Sequence, residues 1–114
     1  MKRLAPLAVA VFLTSGAALL AIAVSPLAVT MSDNKITPSG QPIRFDLADP
    51  GHEAAITHIF NLQGKEVAGL TALSLGRFSW DGTDVDRQPV ESGLYVVQIR
   101  HHGEVWHGPV LVNR

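Results

Sequence analysis

The stretch Leu94-Tyr95-Val96-Val97-Gln98-Ile99-Arg100 runs through His101-His102-Gly103 into Glu104-Val105-Trp106-His107-Gly108-Pro109-Val110-Leu111-Val112. Two runs rich in β-branched and aromatic residues flank His102-Gly103, and glycine in such a two-residue loop supplies the positive φ of a tight hairpin. The loop fixes the register, with His101 facing Glu104 and Ile99 facing Trp106. Side chains alternate between faces along a strand, so Tyr95, Val97, Ile99, Trp106, Val110 and Val112 gather on one face, a core face. Residues flanking the loop form a hydrogen-bonded pair, which puts Val96 and Pro109 at a non-hydrogen-bonded one. Pro109 therefore loses no bond to Val96, yet it cannot donate to a strand on its other side. An edge strand is predicted, at least near Pro109.

The same register sets Leu94 beside Leu111 and Val96 beside Pro109 on the opposite face. Gln98, Arg100 and His107 make the rest of that face polar, so the apolar residues collect at the end away from His102. A contiguous apolar patch on an outer face marks an interaction site, and Leu94, Val96, Pro109 and Leu111 are the predicted partner-binding patch. The alternative is cover from within, by residues 24–32 or by the 83–91 loop.

Working outward from the hairpin, turn signals recur at short intervals. They are Pro38-Ser39-Gly40, Asp49-Pro50-Gly51, Gln63-Gly64, Asp81-Gly82 and Ser92-Gly93. Between them lie five further strand candidates: Leu27–Met31, Pro42–Leu47, Ala55–Asn61, Lys65–Ala68 and Arg77–Trp80. Pro42–Leu47 alternates cleanly, with Ile43, Phe45 and Leu47 to one side. In Ala55–Asn61 the inward face is ambiguous, because Ile56, His58 and Phe60 oppose Ile59. Seven short strands with such turns predict an all-β, antiparallel sandwich over residues 24–114.

The N-terminus is of another kind. Lys2 and Arg3 are followed by no charge until Asp33, and the apolar run exits through Ala21-Ile22-Ala23. A basic head, a hydrophobic helix and a small-x-small exit predict a signal peptide over residues 1–23, cleaved after Ala23. An uncleaved inner-membrane anchor over residues 4–24 is the alternative, since about 20 apolar residues span a bilayer. Pro6 and the polar break Thr14-Ser15-Gly16 favour the signal. A periplasmic or extracellular location follows, with membrane contact only if the segment is retained.

Composition narrows the function. A net charge of −1 over 114 residues gives no footprint for nucleic acid. With no cysteine, a disulfide framework, a thiolate metal site, a Cys nucleophile and a lipid-anchored lipoprotein are all excluded.

Residues 78–99 read Phe78-Ser79-Trp80-Asp81-Gly82-Thr83-Asp84, then Pro89-Val90-Glu91-Ser92-Gly93-Leu94-Tyr95-Val96-Val97-Gln98-Ile99. Trp80 offers a large buried surface, Asp81-Gly82 a sharp turn, and Ser92-Gly93 re-entry to the sheet before Tyr95. The stretch resembles the Ig-like module of flagellar hook-capping proteins and the related C-terminal sandwich domains of type IX secretion cargo. Ile59 to Val67 and Ile36 to Leu47 are similar to earlier strands of that module. The resemblance implies an Ig-like sandwich in which Trp80, Asp81, Gly82, Asp84, Ser92, Gly93 and Tyr95 form a structural motif. It also implies a role in appendage assembly or cargo sorting, although here the module stands alone behind a signal. Arg87 replaces a glycine of the motif, so a left-handed turn there would have to be rearranged.

Chemistry finds little purchase. Asp81, Asp84 and Asp86 miss the spacing of a calcium loop, and Arg87 adds positive charge. In the hairpin register His107 sits opposite Gln98, far from His101 and His102, so three ligands do not converge from the hairpin and surface imidazoles are expected. His52 and His58 have no paired ligand in sequence. No nucleophile elbow and no phosphate loop is present. The expectation is a non-enzymatic module with no catalytic, cofactor or metal residues, acting through a protein partner; a small metal-binding protein is the less favoured alternative.

Overall fold

A computed structural model describes residues 27–114, so the signal or anchor segment lies outside the described residues. The described chain is all-β. Nine strands run in order: β1 Val29–Met31, β2 Lys35–Ile36, β3 Ile43–Leu47, β4 Ile56–Phe60, β5 Glu66–Ala68, β6 Thr71–Ser74, β7 Arg77–Trp80, β8 Gly93–His101 and β9 Glu104–Val112. They form two sheets, one ordered β1-β3-β7-β6 and the other β2-β9-β8-β4-β5.

The hairpin register holds along its whole length, from His101 opposite Glu104 to Gly93 opposite Val112. Val97, Ile99 and Val110 are fully buried, and Tyr95 and Val112 nearly so. Trp106 is half-buried and meets Phe45 of the facing sheet edge-on, with ring centroids 6.3 Å apart. From that sheet Ile43, Phe45 and Leu47 of β3 and Phe78 and Trp80 of β7 complete the core. β3 alternates buried and exposed without a break, as its sequence predicts. Ile59 is the inward residue of β4, fully buried, while Ile56, His58 and Phe60 face outward.

Two features correct the seven-strand antiparallel expectation. β2 leaves the first sheet, where β1 pairs with β3, and joins the second alongside β9 in parallel, the sole parallel pairing among the described strands. Leu111 N–H donates to Asn34 O and Asn113 N–H to Ile36 O, 2.9 and 2.8 Å. β9 is therefore not the outermost strand at its end, but β2 pairs only with Leu111 and Val112 and leaves Pro109 on an open edge. The second addition, β6, has all four residues exposed and packs edge-on to β7.

Candidate functional site

The Trp80 motif acts in folding. Trp80 is 3% exposed, its Nε1–H donates to Thr83 O at 2.8 Å, and its ring meets Tyr95 edge-on at 5.6 Å. Tyr95 Oη–H donates to Glu91 O at 2.7 Å, so the hydroxyl finds a partner as the ring packs. Burial raises the Tyr95 pKa, with Glu91 adding to the rise and Arg114 opposing it. Asp81 Oδ1 accepts from both the amide and the hydroxyl of Thr83, and Asp84 Oδ1 accepts from the amides of Asp86 and Gln88. These are turn-closing bonds of a carboxylate to nearby backbone. Asp81, Asp84 and Asp86 do not converge as ligands.

Arg114 holds the same loop from outside. Its guanidinium donates to Val90 O, at 2.9 Å, and to Gly82 O, while its amide donates to Ser92 Oγ at 3.0 Å. Gly82 has φ +84° beneath that guanidinium, where a Cβ would lie 2.8 Å from Nη2. Gly93 has φ +153° with open space around it. Arg87 itself takes the left-handed conformation, φ +63°, so a left-handed turn is held there with arginine in place of glycine.

The outer face of the five-stranded sheet is built in rows. Leu94 and Leu111 form one with Lys35, and Val96 and Pro109 form the next with Phe60 of β4. His58, Gln98 and His107 follow, then Ile56, Arg100 and Val105. The predicted patch is thus assembled as its register requires, and Leu94 and Leu111 are 41% and 42% exposed. Among the described residues, neither predicted internal cover lies over it. Residues 29–31 pair in the opposite sheet, and the 83–91 segment turns inward to bury Val90. A depression of about 310 Å³ opens between Leu94, Pro109, Leu111, Asn34 and Lys35.

Phe60 extends this patch, a residue its own strand left ambiguous; the signal was the register of β4 on β8. The polar row beyond it is tied together. The Gln98 side-chain amide donates to His107 Nε2 at 3.0 Å, and partial desolvation lowers the His107 pKa. His58 Nδ1 lies 2.7 Å from Glu66 Oε2.

At the other end of the hairpin one expectation is overturned. His101 is not a surface imidazole but is 5% exposed. Alternation places it on the inward face behind Ile99, and the segment joining β3 to β4 closes over it. His101 Nε2 lies 2.9 Å from Pro50 O and 3.3 Å from Glu53 O. His102, in the loop with φ +53°, turns outward and its Nδ1 lies 3.0 Å from Glu53 Oε1.

No family model matches the chain, and no curated protein is similar to it. Among solved structures it is similar to PorZ of Porphyromonas gingivalis, an essential bacterial surface component of the type IX secretion system. That likeness has a TM-score of 0.57 at 18% identity and covers 78% of this chain but 12% of PorZ. It is also similar to CopC from Methylosinus trichosporium OB3b, with a TM-score of 0.46, 17% identity, 78% of this chain and 93% of CopC. The PorZ likeness establishes a shared β-sandwich fold with a component of that secretion system, over a small part of its length.

Proposed function

We propose that this chain is an exported, non-catalytic Ig-like β-sandwich that binds a protein partner on the periplasmic or outer side of a bacterial envelope. One observation carries the reading. Leu94, Val96, Pro109 and Leu111, joined by Phe60, form a contiguous apolar end on an outer sheet face that no described segment covers. The polar row of His58, Gln98 and His107 bounds it on one side, the arrangement of an apolar interface centre with a polar rim. Export rests on the signal-like sequence of residues 1–23.

A narrower form of the reading is a stand-alone sorting or assembly module. The Trp80 to Tyr95 motif and the sandwich shared with a portion of PorZ support it. The hook-capping form of that role rests on the motif alone.

The test is the double variant Val96→Lys with Leu111→Lys. Both side chains lie on the outward face of the sheet, Val96 half-buried and Leu111 exposed, so circular dichroism should match wild type, while co-purification of the envelope partner is lost. A folded double variant that keeps its partner rejects this face as the binding site.

A further inference from the structure

The hairpin tip and the segment that closes over it place three ligand-bearing side chains together, away from the apolar end of the face. A ring nitrogen of His101, a ring nitrogen of His102 and a carboxylate oxygen of Glu53 all lie within 4.8 Å of one another. We propose that Glu53, His101 and His102 form a binding site for a borderline divalent transition ion of the zinc class.

Three observations carry this. His101 is the one buried polar or charged side chain among the described residues, at a position where strand alternation calls for an apolar one. Its Nε2 faces only carbonyl oxygens, those of Pro50 and Glu53, so in the neutral ring Nε2 carries the hydrogen and Nδ1 the lone pair. A histidine anchored through one nitrogen on a backbone carbonyl is oriented as metal-ligating histidines are. Second, the rings of His101 and His102 stand edge to face with centroids 4.1 Å apart, and His102 Nδ1 already lies 3.0 Å from Glu53 Oε1. Zinc bonds of about 2.0–2.2 Å bring tetrahedral ligand atoms to roughly 3.4 Å apart. Glu53 and His102 side chains are 65% and 55% exposed and free to close the remaining distance, while His101 is held. Third, a depression of about 500 Å³ opens on the group and gives an ion entry and room for water in the remaining coordination positions.

The donor set decides the class of ion. Two imidazoles and one carboxylate suit zinc and its neighbours, whereas calcium and magnesium want oxygen alone. Arg100 lines the same depression and its charge opposes a cation, which places the affinity below that of a closed structural site. The plain alternative is a buried histidine that only ties down the 50–53 segment, beside an exposed ion pair.

Zinc titration by calorimetry, on protein carrying a tag without histidines, separates these. Wild type should bind one Zn²⁺, and its melting temperature should rise by roughly 10 °C or more at about 100 times the dissociation constant. Glu53→Gln and His102→Asn alter exposed side chains, and asparagine tolerates the left-handed φ of position 102. Each should fold normally, lose at least about tenfold in affinity and lose about half or more of the thermal shift at the same zinc concentration. Calcium at the same concentration should do neither. Absence of binding at millimolar zinc, undiminished binding in both variants, or equal competition by calcium would each overturn the site. The outcome is independent of the protein-binding reading, whose face lies at the hairpin's other end.

Discussion

At the scale of single residues, Trp80 and Arg87 show opposite relations between sequence and backbone. Trp80 spends its whole side chain on the fold, with its ring against Tyr95 and its N–H on Thr83. Trp80→Ala should cost roughly 3–5 kcal/mol, enough to exhaust most of the stability of a small domain. A urea melt checks this, and a midpoint equal to wild type removes Trp80 from the core. Arg87 is exposed, has φ +63° and occupies the position where the resembled motif carries glycine. A side chain in the left-handed region costs about 1–2 kcal/mol, while glycine gives back roughly 0.5–1 kcal/mol through the freer unfolded chain. Arg87→Gly should therefore stabilise the domain by up to about 1.5 kcal/mol. The same urea melt reads it as a higher midpoint at unchanged slope; a lower midpoint would show that the Arg87 side chain holds the loop.

At the scale of elements, what was legible depended on alternation. The β8–β9 hairpin could be registered from one glycine turn, and every pair then followed, including the outer patch and the open edge at Pro109. β3 was equally plain because its faces differ sharply. β6 was not, since none of its residues is buried and no periodicity marks it. β2 is two residues long and parallel, and neither feature leaves a pattern in sequence. The histidine group escaped for a related reason. His101 and His102 are neighbours in the hairpin, but Glu53 reaches them only because the β3–β4 connection crosses from one sheet to the other at that end. Gly108 illustrates how tightly the hairpin is packed. Trp106 lies across it, and a Cβ at 108 would clash with the indole. Gly108→Ala should displace Trp106 from Phe45, at a cost of about 1–3 kcal/mol and with a red-shifted tryptophan emission. An unchanged spectrum and melting point would place the indole elsewhere.

At the scale of the molecule, the two sheets divide the work. Their facing sides make the core, and the loop behind Trp80 is fixed by Arg114 rather than left to form a mobile site. The five-stranded sheet keeps an apolar end turned to solvent, whereas the four-stranded sheet offers Leu73 on a strand exposed throughout. These two surfaces allow a direct comparison in the cell that makes the protein. A photo-crosslinking amino acid at Leu111 should give one discrete adduct of higher mass, and the same group at Leu73 should give none. Equal adducts from both positions, or none from Leu111, would contradict a protein-binding role for the outer face of the five-stranded sheet.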